Sequence, residues 1–363
     1  MGRDIQLGRC RAQVRAVGAR CGRGEAMKLS TRRTLYVMVG LAISVILLWL
    51  LFRNINFAEL GDALAKANYW WLLPNIAMII FTMYQRAYRW RFMLKPIKIV
   101  AFSKLLAATC IGFMANNVLP LRLGEFVRGY SLASQDKEIS KSASLASIFV
   151  ERMVFDLVAL LLIFGAVLAG SSFPVHEDMK EGTYVAIMIA LVGILFMLMF
   201  ALRPAQAGEW MTRYLPFLPE AAKEKIRGIV MKFSRGLEFI KDTKILSWVM
   251  LQTVIIWVFM GVSNYFVFQA FGFDLPLSAS FVLLVVVSVS ILVPSSPGFV
   301  GVYHYGTVWT LASYGIAKEQ ALSFALVLHA AQYIPITAMG FYFLKKEHLS
   351  LKKLEQESTA GEA

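Results

Sequence analysis

Long apolar runs separated by short polar segments dominate the chain. Apolar residues fill 34–52, 69–84, 105–121, 143–169, 183–202, 246–271, most of 278–315, and 321–344. A helix needs about 20 such residues to cross the hydrocarbon of a bilayer. Two runs are interrupted in a way that spanning helices are not: NNVLPLRLGEFVR at 116–128 and VPSSPGFVG at 293–301. Proline and glycine open a helix, and opened backbone or isolated charge at membrane depth survives only against protein or a wet cavity. The first interruption therefore reads as half of a substrate site.

Composition agrees with the pattern. The 363 residues are 58% hydrophobic and only 17% charged, with a mean hydropathy of +0.61, which excludes a soluble domain. The net charge of +14 is assigned to Lys and Arg in cytoplasmic loops, so no nucleic-acid partner is expected. Cys10, Cys21 and Cys110 have no paired spacing and the four histidines are scattered, so neither a disulfide framework nor a metal site is expected, and no cofactor. No P-loop, HExxH or GxSxG is present, leaving an ATP-driven pump or a hydrolase without support.

Charge placement orders the runs across the membrane. Residues 1–26 are arginine-rich without an apolar core, and we read them as an upstream extension of a chain starting at Met27; a mature peptide beginning earlier would refute this. Lys28, Arg32 and Arg33 put the N-terminus in the cytoplasm, and Arg86, Arg89, Arg91, Lys95, Lys98 and Lys104 form a cytoplasmic loop after the second span. His176, Glu177, Asp178 and Glu181 mark an outside loop, so with one span at 143–169 the run 105–121 must enter and return. The basic segment 203–245 is cytoplasmic and carries an amphipathic helix near 221–239 that lies on the leaflet surface. Asp274 lies outside, and Lys345, Lys346, Lys352 and Lys353 put the tail 345–363 inside, so 278–315 must also enter and return, from the opposite face. The expected fold is an all-α polytopic membrane protein with about six full spans plus two re-entrant broken-helix hairpins, arranged as an inverted repeat within 34–344, after a basic extension at 1–33. Paired interrupted helices point to a transporter site near the midplane.

Candidate chemistry concentrates at the two breaks. Arg122 and Arg128 can hold a phosphate by charge-assisted hydrogen bonds, beside Asn116 and Asn117, or can anchor the hairpin to headgroups. Glu125 can bind an amine or sugar hydroxyl, or pair with an arginine. Glu151, Arg152 and Asp156 follow in the next span, with Arg152 and Asp156 four apart on one face and Glu151 free to reach Arg122 or Arg128; they either brace the hairpin or touch substrate. At the second break Ser295 and Ser296 offer hydroxyls, Gly298 allows close backbone approach, and Tyr303 and His304 follow it, with His329 and Gln332 on one face of the last span.

Three pieces together, NNxLPxRxGExxR at 116–128, ERxxxD at 151–156 and PSxPGxxG at 294–301, resemble the integral membrane domain of bacterial lysylphosphatidylglycerol synthases and stand-alone flippase-like proteins, over roughly 34–344. The resemblance implies translocation of a lipid with a polar head, such as an aminoacylated phospholipid or a polyprenyl-phosphate-linked sugar, in the inner (plasma) membrane. This chain departs from that family in two ways: no aminoacyl-transferase domain follows residue 344, so synthase activity is not expected, and many relatives place an acidic residue where Tyr303 and His304 stand. Membrane lipids are the expected partners, with a homodimer or envelope-synthesis enzymes as protein partners. Two other readings stay open: a membrane-embedded transferase using Glu125, Glu151 or Asp156, and a non-catalytic scaffold of envelope synthesis.

Overall fold

The computed structural model describes residues 34–170, 188, 192, 195, 199, 202–213 and 219–360. The expected extension at 1–33, the acidic loop at 171–182 and nearly all of the run 183–202 lie outside the described residues. All described elements are helical. They are α1 (Thr34–Phe52), α2 (Phe57–Lys66), α3 (Leu72–Leu94), α4 (Phe102–Val118), α5 (Gly124–Gln135), α6 (Lys141–Val150), α7 (Leu157–Gly170), α8 (Pro204–Arg213), α9 (Glu220–Arg235), α10 (Thr243–Ala270), α11 (Leu277–Ser290), α12 (Val302–Ser313), α13 (Lys318–Lys346) and α14 (Leu351–Ala360). α1, α10 and α13 are long and apolar enough to cross a membrane, and α11 is a shorter apolar helix.

Local sequence sets several boundaries. The Asn56 side chain accepts from the amides of Ala58 and Glu59 and starts α2; Ser140 caps α6 through Ala143, and Asp242 caps α10 through Lys244 and Ile245. Between α6 and α7, Glu151–Asp156 form one π-helical turn. α3 runs on through Arg86 and Arg89 to Leu94, where the sequence suggests a cytoplasmic loop. Both arginines are buried: Arg89 pairs with Glu151 and Asp156 of the α6–α7 helix, whereas Arg86 comes no nearer than 3.7 Å to Asp156.

Antiparallel contact joins α4 to α5: the Gly112 backbone faces Gly124 and Arg128, too close to admit a Cβ on Gly112 or Gly124. α11 and α12 form a second such pair, with Gly306 against Ser290 and Val286. α3 packs on α10, α4 on α13, α11 on α7, α5 on α6, and α12 on α13. Two large apolar clusters result, one around Trp90, Leu105, Ile148 and Phe239, the other around Phe268, Leu283, Leu311 and Phe324.

α9 presents an apolar face, but to protein: Val230 is buried in the first cluster, and the helix packs on α6 and α8. After the last span the chain folds as α14 against α5, burying Leu354 beside Tyr130 and Val127.

Candidate functional site

The first break begins where α4 ends at Val118. Leu119 is extended, Pro120–Arg122 make a short 3-10 turn, and Leu121 and Arg122 have φ of 65° and 55°. Pro120 cannot supply the amide that would continue the helix. The new helix start at Gly124 leaves an orphan amide, which donates to Asn116 Oδ1 at 2.8 Å. Asn117 Nδ2 donates to Thr337 Oγ1 of α13 at 2.9 Å, fastening the end of α4 to the last long helix.

The second break repeats this geometry. Pro297–Phe299 make a 3-10 turn, with φ of 71° at Gly298, 59° at Phe299 and 93° at Gly301. α1 holds it in place: the Ser44 hydroxyl donates to Val300 O at 2.7 Å and accepts from the Ser296 amide at 2.9 Å. Gly40 and Gly301 permit this approach, since a Cβ on either would sit 2.9 Å from backbone oxygen, of Ser295 and Ser44 respectively. Buried His304 accepts from the Gly301 amide at 3.4 Å, and Tyr303 stacks on His329 with ring centroids 4.5 Å apart.

The breaks touch. The Arg122 guanidinium lies over the Phe299 ring, 5.0 Å from its centroid, and donates to the carbonyl of Ile291. Asn117 O accepts from Tyr333 Oη at 3.5 Å. An outer cleft of about 200 Å³ opens here, lined by Asn116, Pro120, Arg122, Pro294, Ser295 and Ser296, with Tyr36 of α1 at its edge. It places one guanidinium and two serines together, a set suited to an oxyanion. On the other side of Phe299, which lines both, lies an inner cavity of about 160 Å³ bordered by Thr82, Arg86, Asn117, Tyr303, His329 and Gln332.

Below the breaks lies a buried ion-pair network. Glu151 Oε1 is 2.8 Å from Arg128 Nη1 and 3.0 Å from Arg89 Nη2, and all three side chains are fully buried. Asp156 meets Arg89 at 2.9 Å and Arg152 at 3.1 Å, while Arg152 Nε reaches Glu125 at 3.1 Å. Arg128 also lies over the Trp90 ring at 4.1 Å, and the Trp257 indole donates to Asp156 at 3.3 Å. On a regular α-helix Glu151 and Asp156 would point roughly 140° apart. The π turn brings both to one arginine, Arg89.

The sequence-predicted residues thus divide into groups. Asn116, Arg122, Ser295 and Ser296 line the outer cleft, Asn117 and Tyr303 the inner cavity, and Gly298 sits between them against Tyr333 and Asn117. Arg128 is not open to the cleft; it joins Glu125, Glu151, Arg152 and Asp156 in the network. Sequence reasoning missed Arg86, Arg89, Ser44 and Phe299. The signal for the arginines is their three-residue spacing in YQRAYRW, on one face of a continuing helix.

Comparison with known proteins adds family context. Residues 37–340 match the family model described as lysylphosphatidylglycerol synthase TM region. A protein named glycosyltransferase AglD from Haloferax volcanii is 26% identical over 356 residues, covering 90% of this chain and 57% of its own length. This chain therefore spans little more than half of that relative. A UPF0104 membrane protein of Methanocaldococcus jannaschii is 26% identical over 66% of this chain and 98% of its own length. Another, from Methanothermobacter thermautotrophicus, is 23% identical over 83% and 92%.

Proposed function

The chain belongs to the lysylphosphatidylglycerol synthase transmembrane-region family, and from that premise we propose that it is a lipid translocase. It moves a phospholipid or polyprenyl-phosphate-linked lipid between leaflets without chemically altering it. The observation that carries this reading is the meeting of the two helix breaks, with Arg122 of one stacked on Phe299 of the other beside the outer cleft. A bare charge at the bilayer centre costs roughly 2.5–3.5 kcal/mol on insertion scales. A cleft with Arg122, Ser295 and Ser296 on its wall lowers that barrier for a phosphate, while the tails stay in lipid.

An inverted repeat supports the reading. One register shift carries Pro120 to Pro297, Arg122 to Phe299, Gly124 to Gly301, and Lys141, the start of α6, to Lys318, the start of α13. The contacts pair under the same exchange: α4 on α13 with α11 on α7, and α5 on α6 with α12 on α13. In this arrangement the α4–α5 and α11–α12 pairs are re-entrant hairpins entering from opposite faces among about six spans. In this reading the protein sits in the inner membrane with both termini cytoplasmic.

The name of the Haloferax relative favours one other reading, a transferase acting on lipid-linked donors. It calls for a free carboxylate, whereas Glu125, Glu151 and Asp156 are each ion-paired to arginine. Reconstitution into vesicles with fluorescent lipids of different headgroup separates the two. Movement of intact lipid between leaflets supports the translocase, and transfer of a headgroup without movement overturns it.

A further inference from the structure

The ion-pair network holds four arginines, Arg86, Arg89, Arg128 and Arg152, against three carboxylates, Glu125, Glu151 and Asp156. One positive charge is therefore in excess, and geometry locates it. Arg89, Arg128 and Arg152 each have a carboxylate oxygen within 3.1 Å. Among the described residues Arg86 has none nearer than Asp156 at 3.7 Å, and its one hydrogen bond there is to Met260 Sδ at 3.0 Å. Its Nε and Nη1 have no hydrogen-bond partner among the described residues, although the residue is only 3% exposed. Leaving a buried guanidinium so poorly paired is costly unless something else meets it.

Arg86 lines the inner cavity, whose lining contains, among the described residues, no carboxylate and no other charged side chain. Polar side chains share that lining, among them Thr82, Asn117, His329, Gln332 and Tyr333. The register shift that relates the breaks takes Arg86 to Ser263, which also borders the cavity, so the charge comes from one half only. We propose that the inner cavity is an anion site in which Arg86 binds a phosphate group, a second station separated from Arg122 by the Phe299 ring. The proposal deepens the translocase reading and rests on it for the source of the phosphate, a lipid headgroup. The same chemistry would also hold free phosphate.

The test is equilibrium binding to the full chain in detergent, with dihexanoylphosphatidylglycerol, inorganic phosphate and dihexanoylglycerol as probes. Wild type is expected to bind the phospholipid at least tenfold more tightly than dihexanoylglycerol. With the outer cleft silenced by Arg122→Ala, Arg86→Met removes that preference, Arg86→Lys retains part of it, and neither alters binding of dihexanoylglycerol. Ser263→Asp, which sets a carboxylate in the cavity, weakens phospholipid binding at least tenfold and serves if Arg86→Met does not fold. Inorganic phosphate bound with the same Arg86 dependence supports the site with free phosphate as a ligand; binding of the phospholipid alone supports it with a lipid source. Wild-type affinity in the Arg86 and Ser263 variants, or no preference for phosphate in wild type, overturns the proposal. Vesicle translocation by the same preparations separates the two readings. Arg86-dependent binding without lipid movement sinks the translocase and keeps the site, and movement with Arg86-independent binding does the reverse.

Discussion

Glu151→Gln is the perturbation that most directly probes how the first hairpin is braced. The carboxylate is fully buried and one of its oxygens receives both Arg128 and Arg89, at 2.8 and 3.0 Å. Neutralising it leaves the two arginines unequal. Arg89 keeps Asp156 at 2.9 Å and the Thr253 hydroxyl at 2.8 Å, whereas Arg128 keeps only the face of Trp90 at 4.1 Å. Leaving one buried charge unpaired costs about 3–5 kcal/mol. Gln retains one acceptor and the side-chain volume, so the lower end applies, about 3 kcal/mol. At about 2–4 °C per kcal/mol for a chain of a few hundred residues, the unfolding midpoint should fall by roughly 6–12 °C. Replacing Arg128 as well, in Glu151→Gln/Arg128→Met, removes the stranded charge and should restore about half of the loss. Thermal unfolding of the purified protein, followed by tryptophan fluorescence, reads Glu151→Gln, Arg128→Met and the double variant. A Glu151→Gln midpoint within about 2 °C of wild type, or a double variant that falls by the sum of the singles, would refute the reasoning.

Three further outcomes follow from the same structure. The Lys98 ammonium, 2.9 Å away, holds the Asp136 carboxyl below the usual carboxylate range. That contribution is complete above the unfolded value of about 4 and lost as pH falls below it, so the midpoints of wild type and Asp136→Asn should differ at pH 7 and converge below about pH 4; a constant difference would contradict it. Leu121 has φ of 65° and is 42% exposed, so Leu121→Gly should be more stable than Leu121→Ala by about 1 kcal/mol in chemical denaturation, and a less stable Gly variant would contradict the strain. Glu138→Cys and Asp274→Cys, on exposed loops at the far ends of the two hairpins, should react with a membrane-impermeant maleimide from opposite faces; labelling from one face would break the inverted repeat.

Much of the site was legible because the sequence breaks its own pattern. Pro120, Gly124, Pro297, Gly298 and Gly301 interrupt apolar runs where a helix cannot tolerate them, and the structure breaks there. The Arg152 to Asp156 pairing is likewise set by four-residue helical spacing. The roles of the arginines were not legible. Loop-side placement is the ordinary fate of Arg in a membrane protein, and only partners distant in sequence, Glu151 and Asp156, let Arg89 stay buried. The π turn was equally hidden, since tertiary pairing rather than local propensity puts Glu151 and Asp156 on one partner. The repeat of Pro-x-x-x-Gly at 120–124 and 297–301 was present in the sequence, but five residues stand out only once both segments share one backbone shape.

Lipid translocation itself is tested most directly by leaflet accessibility in vesicles. A fluorescent phospholipid placed in both leaflets is quenched by a reductant that cannot cross the bilayer, with wild type, Arg122→Ala or no protein present. The account predicts that quenching proceeds beyond the outer leaflet with wild type and slows at least tenfold with Arg122→Ala. Quenching that stops at the outer leaflet with wild type, as in protein-free vesicles, for phospholipid and polyprenyl-phosphate probes alike, would contradict it.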